Sequence, residues 1–263
     1  MIGSIGPLPM EAPSPGSSFT DLLDSLGSKP SLSIPPGEKP PTAPEGTTVL
    51  ALRYEGGVVM AGDRRATEGN LVAHRRIRKV FQADKYSAVA IAGVAGIAIE
   101  MVRLFQVELE HYEKIEGVRL SLEGQASFLA RLVRGQLPMA FQGLIVVPMF
   151  AGYDEREQRG RLYSYDAVGG RYEEVDFGST GSGSRLAKSY LRTVYREDLS
   201  AEEASDMAVR ALVAASQEDT ATGGPDLRRG IYPTVLRIGA GGVEELDDSV
   251  IAPLAESAVD QIL

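Results

Sequence analysis

EGTTVLALRYEGGVVMAGDRRAT, residues 45–67, is the stretch of sequence that decides the fold. Apolar and polar side chains alternate through Thr47–Tyr54, which is typical of a half-buried β-strand. Glu55-Gly56-Gly57 supplies turn residues, and Val58–Gly62 is a second short apolar run. We therefore predict a β-hairpin that begins abruptly at Thr47.

The residues before this hairpin have a different composition. Ten of the fifteen prolines lie within residues 1–46, mixed with Gly and Ser. Such a segment buries too little apolar surface to offset the entropy lost on ordering. We therefore predict a flexible leader at 1–46 and a folded domain at 47–263. One island, Phe19–Leu26, has its apolar residues on one helical face, and we expect a short helix that is ordered only by docking on another surface.

After the hairpin, strands and helices alternate in blocks. Strands are predicted at Lys79–Ala83, Ser87–Gly93, Gly143–Tyr153, Arg161–Asp166, Tyr172–Val175, Tyr232–Ile238 and Val243–Leu246. Helices are predicted at Ile97–Tyr112, Leu122–Leu137, Ser184–Tyr195, after the capping box Ser200–Glu203, and at Ile251–Leu263. Helices segregated from hairpins in this way predict an α+β fold, an antiparallel sandwich with helices on its outer faces.

Composition excludes several classes of function. The formal net charge of −9 disfavours nucleic-acid binding, which needs a concentrated Lys/Arg surface, and it disfavours an anionic membrane surface. Because there is no cysteine, thiol catalysis, disulfides and thiolate metal sites are excluded. No apolar run approaches the ~18 residues of a membrane span, and the N-terminus lacks the pattern of a secretory signal. We therefore expect a cytoplasmic protein.

The two histidines and the glycine-rich turns offer no obvious chemistry. His111 lies in an amphipathic helix beside acidic residues and is expected on the surface, and His74 lies among arginines in a predicted loop. Neither has a convincing partner for a Ser-His-Asp triad or a zinc site. The turns Gly93–Gly96 and Gly181–Ser184 precede helices but lack the dinucleotide and P-loop fingerprints. They are most simply tight turns, although their backbone N–H groups could stabilise an oxyanion.

A threonine nucleophile needs neither cysteine nor histidine. The hydroxyl of an N-terminal Thr can use the α-amine of the same residue as its base, since that amine has a pKa near ~8. Thr47 would acquire such an amine if the chain were cut after Gly46. Asp63 at the end of the second strand and Lys79 at the start of the next could tune this site by their charges. On spacing alone, an ordinary Asp–Lys pair and a Thr-rich strand explain these residues as well.

Several motifs then resemble a known family. They are Gly46-Thr47-Thr48, Gly62–Thr67, Arg78-Lys79-Val80, Ile91-Ala92-Gly93, Gly181–Ser184 and Asp219–Asp226. Together they resemble the catalytic β subunits of the 20S proteasome, from Thr47 to about residue 250. Two further stretches, Leu109–Lys114 and Arg229–Thr234, are similar to the actinobacterial branch of that family.

The resemblance implies a four-layer αββα sandwich of the N-terminal nucleophile hydrolase type and an endopeptidase without metal or organic cofactor. Residues 1–46 would be a propeptide removed by self-cleavage between Gly46 and Thr47. Thr47 would be nucleophile and base, with the remaining site residues in supporting roles. By the same resemblance these are Asp63, Lys79 and Arg65 beside the nucleophile, Gly93 as oxyanion donor, and Ser182, Asp219 and Thr222 around the amine.

The same resemblance implies how substrate binds. Thr67 and Ala95 would hydrogen-bond an extended peptide through their backbones, as in strand addition. Ala66, Ile77, Ile91 and Ala95 would line the pocket for the P1 side chain, the residue before the scissile bond. Since these four are apolar, we expect apolar P1 residues. Where many relatives have Ser, this chain has Thr222, which keeps the hydroxyl but leaves its orientation open.

The resemblance also implies partners. Two seven-membered β rings would stack between rings of α subunits in a 28-subunit α7β7β7α7 core, fed by a ring ATPase with proteins that carry a ubiquitin-like modifier. Three alternatives stay open. One is the β-type subunit of the simpler hexameric two-component protease, and another is a non-catalytic structural ring subunit. The third is a threonine hydrolase of small amides, which the symmetry and size of its particle would distinguish from a proteasome.

Overall fold

The opening hairpin forms where it was predicted, although its first strand is buried on both faces from Thr48 to Leu52 rather than half-buried. Strand β1 (Thr48–Tyr54) pairs antiparallel with β2 (Gly57–Gly62), so that Val49 lies opposite Gly62 and Tyr54 opposite Gly57. The computed structural model describes residues 46–68 and 71–262. The helix predicted at Phe19–Leu26 lies outside the described residues.

The remaining elements follow in blocks of strands and helices. The strands are β3 (Ala66–Glu68), β4 (Leu71–His74), β5 (Val80–Asp84), β6 (Ser87–Gly93), β7 (Val146–Asp154), β8 (Arg159–Tyr165), β9 (Arg171–Glu174), β10 (Phe177–Gly181), β11 (Thr234–Gly239) and β12 (Gly242–Glu245). The helices are α1 (Ala95–Glu116), α2 (Leu122–Gly135), α3 (Leu137–Ala140), α4 (Ser184–Val194), α5 (Ala201–Glu218) and α6 (Asp248–Ile262).

Two five-stranded antiparallel sheets form the centre of the fold. The first sheet has the strand order β10-β1-β2-β11-β12, and the second has the order β5-β6-β7-β8-β9. The short strands β3 and β4 pair with each other in a separate ribbon. This topology places the start of β1 between β2 and β10, and that position decides where Thr47 lies.

Alternating side chains divide each sheet between two cores. In β1, Leu50 and Leu52 pack with α4, α5 and α6, whereas Val49 and Ala51 pack against the second sheet. In the second sheet, residues such as Val89 pack with α1 and α2 in the same alternating way. A buried apolar layer therefore lies between the sheets, and another lies under the helices on each outer face. This is the predicted four-layer αββα arrangement, and the α+β fold class is confirmed.

Some predicted elements end at other residues than expected, and some observed elements were not predicted. Strand β10, Phe177–Gly181, was not predicted because it is short, ends in glycine and has little apolar alternation. The predicted helix Leu122–Leu137 ends at Gly135, and a separate turn of helix follows because Pro138 lacks the N–H that would continue the ladder. His74 was expected in a loop but ends strand β4, where it is exposed.

Other predictions are confirmed. His111 is exposed on α1, as its amphipathic pattern indicated. Helix α5 begins with the predicted capping box, in which the Ser200 hydroxyl accepts from the backbone N–H of Glu203 and the Glu203 carboxylate accepts from that of Ser200. Within the described ranges, no helix combines the length and the apolar character needed to span a membrane.

Candidate active site

The candidate site lies where three strand ends of the fold meet. Thr47 directly precedes β1, Asp63 directly follows β2, and Ser182 directly follows β10. The register pairs Thr48 with Gly181 and Val49 with Gly62, so these ends are neighbours in the first sheet. Lys79 reaches the same place from the second sheet, immediately before β5.

The Asp63 carboxylate accepts four hydrogen bonds. Its Oδ1 accepts from the backbone N–H of Thr48 at 2.9 Å and from Lys79 Nζ at 2.6 Å. Its Oδ2 accepts from the backbone N–H groups of Arg65 at 3.0 Å and Gly223 at 2.8 Å. Asp63 is fully buried. These four donors replace the water that a carboxylate loses on burial, and they fix both oxygens in position.

Lys79 joins this carboxylate to the peptide bond before Thr47. Its Nζ lies 2.6 Å from Asp63 Oδ1 and 3.1 Å from the carbonyl oxygen of Gly46. Burial lowers the pKa of the Lys79 ammonium, and the carboxylate of Asp63 opposes that shift without cancelling it. The carbonyl of Lys79 accepts from the backbone N–H of Ile91 at 2.9 Å, which ties the lysine to β6. Because its pKa is lowered, the Lys79 ammonium releases a proton more readily than the ammonium of a solvated lysine.

Thr47 is buried beside this pair. Its Oγ1 donates to the carbonyl oxygen of Gly46 at 2.8 Å, so this oxygen accepts from both the Thr47 hydroxyl and Lys79. The carbonyl of Thr47 accepts from the backbone N–H of Ser182 at 2.8 Å. The predicted cleavage bond, between Gly46 and Thr47, is thus held at both residues.

Gly46 lies in a space that admits no side chain. A Cβ at this position would lie 2.2 Å from Oγ1 of Thr67 and 2.8 Å from both the Cβ and the carbonyl oxygen of Ala221. Glycine before Thr47 therefore has a structural cause in two other segments, β3 and the loop after α5.

A chain of hydroxyl groups leads from Thr48 to Asp219. Oγ1 of Thr222 donates to Oδ2 of Asp219 and lies 2.5 Å from Oγ1 of Thr48, which accepts from the backbone N–H of Gly183 at 2.9 Å. The Ser182 hydroxyl also donates to Oδ2 of Asp219, at 2.6 Å. Thr222 is fully buried. Its hydroxyl, whose orientation the sequence left open, thus points to Asp219.

Arg65 supports the site through the backbone. Its guanidinium Nη1 donates to the carbonyl oxygens of Thr220 at 3.1 Å and Thr222 at 3.3 Å. Since its own N–H is bound to Asp63, Arg65 connects that carboxylate with the loop that carries Asp219 and Thr222.

Apart from Ile77, the other predicted site residues lie on β3, β6 and α1. Gly93 ends β6 with φ +104°, and a Cβ there would lie 2.0 Å from the carbonyl oxygen of Ile145. Ala95 opens α1 and is half-buried, and Ala66 opens β3 and is buried. Ile91 is buried in the core beside α1.

Ile77, the remaining residue of the predicted P1 pocket, lines an open cavity of about 710 Å³. The other lining residues are His74, Arg75, Arg76, Arg229 and Ile231. Ala66, Ile91 and Ala95 are not among its lining residues, so this cavity does not bring together the four residues predicted for the P1 pocket.

Three residues of the site were missed by sequence reasoning. Thr48 contributes both its backbone N–H and its hydroxyl, and Gly183 and Gly223 each contribute a backbone N–H. A backbone N–H donor cannot be recognised from residue type, so Gly183 and Gly223 could not be found in this way. Thr48 could have been recognised, because its hydroxyl lies next to the candidate nucleophile in the sequence. Throughout residues 46–68 and 71–262, no group of three or more His, Cys, Asp or Glu side chains could hold a metal ion.

Comparison with known proteins gives the family. The profile of the family described as "Proteasome subunit" matches residues 43–226. The chain belongs to this family. The matched range contains every residue of the Thr47 site, from Gly46 to Gly223.

Relatives of this proteasome subunit include subunits of the β type. "Proteasome subunit beta" of Acidothermus cellulolyticus is 50% identical over 98% of this chain and 91% of its own length. The protein of the same name from Streptomyces griseus subsp. griseus is 49% identical over 99% of this chain and 94% of its own length. The protein of this name from Acidimicrobium ferrooxidans is 50% identical over 92% of this chain and 88% of its own length. The prediction of a proteasome β subunit of actinobacterial type is confirmed, and membership of the family implies assembly with other proteasome subunits.

Proposed function

We propose that this proteasome β subunit is a threonine endopeptidase, with Thr47 as nucleophile, that activates itself by cleavage between Gly46 and Thr47. One observation carries the proposal: Lys79 Nζ contacts both the Asp63 carboxylate and the carbonyl oxygen of Gly46, to which the Thr47 hydroxyl is also bound. Self-cleavage requires a base beside the threonine hydroxyl and beside the carbonyl of the residue before that threonine. Lys79, with its lowered pKa, lies in this position.

Self-cleavage proceeds through an ester. A rotation about the Cα–Cβ bond of Thr47 moves Oγ1 from the Gly46 oxygen to the Gly46 carbon, where it forms a bond. The hydroxyl proton passes to the neutral form of Lys79 and then to the Thr47 nitrogen as the C–N bond breaks. Water then hydrolyses the ester, which leaves a carboxylate on Gly46 and a free amine and hydroxyl on Thr47. The N–H donated by Lys79 stabilises the negative oxygen of the intermediate.

After cleavage the amine of Thr47 acts as the base. It accepts the hydroxyl proton as Oγ1 attacks a substrate carbonyl, gives it to the leaving amine, and then activates the water that hydrolyses the acyl-enzyme. The charge of Lys79 favours an ionised oxygen on Thr47, and Asp63 orients Lys79. Ser182, Asp219 and Thr222 hold the amine. The Gly93 N–H serves as the oxyanion donor for a bound substrate.

Substrates bind as extended peptides. In this proposal the backbones of Thr67 and Ala95 pair with the peptide, and the P1 side chain contacts Ala66, Ile77, Ile91 and Ala95. All four pocket residues are apolar, which supports hydrolysis after apolar residues. The proposed setting is a cytoplasmic α7β7β7α7 core that receives unfolded, modifier-tagged proteins from a ring ATPase.

The decisive experiment is intact-mass measurement after co-expression with an α subunit. The wild-type chain should lose residues 1–46, whereas Thr47→Ala should keep them and show no peptide hydrolysis. Thr193→Ala removes an exposed hydroxyl from α4 and should behave as wild type, so it is the matched control. A processed, active Thr47→Ala particle would refute the mechanism. A wild-type particle that assembles but neither loses 1–46 nor hydrolyses peptides would identify the non-catalytic ring subunit instead.

A panel of peptides that differ only at P1 tests the pocket. Apolar P1 residues should give the highest kcat/KM. Fastest cleavage after basic residues would contradict the assignment of Ala66, Ile77, Ile91 and Ala95, without affecting the assignment of Thr47.

A further inference from the structure

Thr48 has a buried hydroxyl for which the proposed mechanism has no use. The residue is fully buried, and its Oγ1 contacts the backbone N–H of Gly183 and the hydroxyl of Thr222. Burying a hydroxyl costs free energy unless it is hydrogen-bonded, and a valine would fill the same space. The contacts of this hydroxyl therefore indicate what it does.

The partners fix the direction of every proton in the chain. The Asp219 carboxylate only accepts, so the hydroxyl proton of Thr222 points to Asp219. The N–H of Gly183 only donates, so it occupies a lone pair of the Thr48 oxygen. The proton of Thr48 is then left to point to Oγ1 of Thr222, at 2.5 Å. All hydrogen bonds run from Gly183 through Thr48 and Thr222 to Asp219.

Packing around Gly183 keeps these oxygens together. A Cβ at Gly183 would lie 2.6 Å from Oγ1 of Thr48, 2.6 Å from Oγ1 of Thr222 and 3.0 Å from Oδ2 of Asp219. The space beside the three oxygens therefore admits only a glycine. The arrangement of the three oxygens therefore requires glycine at position 183, in addition to the hydrogen bonds.

We propose that Thr48 is a positioning residue that holds the hydroxyl of Thr222 as an acceptor for the terminal amine of Thr47. The Thr222 hydroxyl donates its hydrogen bond to Asp219, and one lone pair of its oxygen accepts from Thr48, so a single lone pair remains. It can accept an N–H from the amine but cannot donate to it. The lone pair of the amine then stays free for the proton of the Thr47 hydroxyl. This inference rests on the proposed role of that amine as base.

The test compares Thr48→Val, which loses the hydroxyl at similar volume, with Thr48→Ser, which keeps it. In the processed particle, Thr48→Val should lower kcat about a hundredfold, at the lower end of what a positioned base contributes, and change KM by less than about twofold. Thr48→Ser should restore kcat to near the wild-type value. A residue that only stabilised the fold would not produce this separation of kcat from KM.

A double-variant cycle shows whether Thr48 acts through Thr222. In a Thr222→Ala background, Thr48→Val should cost less than about twofold in kcat, because the acceptor that it holds is already gone. Gly183→Ala is a second route to the same geometry, since its Cβ would separate the oxygens, and it should also lower kcat at unchanged KM. This variant keeps the test decisive if Thr48→Val does not assemble.

The outcomes separate this inference from the proposed function. Wild-type kcat in Thr48→Val or, if that variant does not assemble, in Gly183→Ala would overturn the role of Thr48 while leaving Thr47 as the nucleophile. If Thr48→Val lowered kcat equally in the wild-type and Thr222→Ala backgrounds, the proposed action of Thr48 through Thr222 would also be overturned. An inactive wild-type particle would overturn both.

Discussion

Gly46→Ala is the substitution that most directly tests the geometry of self-cleavage. The added Cβ would lie 2.2 Å from Oγ1 of Thr67 and 2.8 Å from the carbonyl oxygen of Ala221. Ordinary contacts begin at 3.4 Å. Rotation of Thr67 could relieve the first contact, but the second involves the backbone. The carbonyl of residue 46 must therefore move, and Lys79 and the Thr47 hydroxyl both bind the oxygen of that carbonyl.

The expected effect is a slower first step. A displacement of about 1 Å in a reacting group can cost about a hundredfold in rate, which corresponds to about 2.7 kcal/mol in the activation free energy. We therefore expect Gly46→Ala to lose residues 1–46 about a hundredfold more slowly. Because residue 46 would leave with the proposed propeptide, each processed subunit would have the wild-type sequence and should hydrolyse peptides at the wild-type rate.

The assay is a time course of intact mass after assembly with the α subunit. Gly241→Ala is the matched control, since no atom lies within 4 Å of its Cβ position, and it should be processed at the wild-type rate. Processing of Gly46→Ala as fast as wild type would refute the argument that crowding positions the scissile carbonyl. Slow processing combined with a lower rate per processed subunit would also contradict it.

Two further predictions concern burial. Asp63→Asn should abolish self-cleavage and lower the free energy of unfolding by about 3–5 kcal/mol, because Lys79 loses its buried partner; an unchanged urea midpoint would contradict this. Burial raises the pKa of Tyr163 to about 12 and also raises that of Tyr165, so both stay neutral in the fold while the unfolded chain ionises above pH 10. Stability conferred by each is therefore lost as pH rises, by about 1 kcal/mol between pH 10 and 11. In urea unfolding of the isolated subunit, Tyr165→Phe should reduce the loss over that interval by this amount; an identical loss in both proteins would show that Tyr165 ionises equally in the folded and unfolded states.

Local features of the sequence predicted the elements in which neighbouring residues decide the structure. The hairpin β1–β2 follows from the alternating residues before Gly56-Gly57 and the apolar run after them, and the capping box at Ser200 follows from a four-residue pattern. Strand β10 could not be predicted in this way. Its residues pair with β1, and the bond from the Ser179 hydroxyl to the carbonyl of Val49 joins positions 130 residues apart. The partner strand, rather than local alternation, makes this segment a strand.

The sequence by itself determined which chemistry was available. Without cysteine and with only two histidines, Thr47 with Asp63 and Lys79 was the nucleophilic arrangement left to consider, and the family motifs supported it. Only the tertiary structure decided that these groups meet. The register of β1 against β2 and β10 brings Asp63 and Ser182 to Thr47, and the packing of the second sheet brings Lys79. Contact between Thr48 and Thr222, 174 residues apart, likewise depends on how distant segments pack, and no local pattern encodes such a contact.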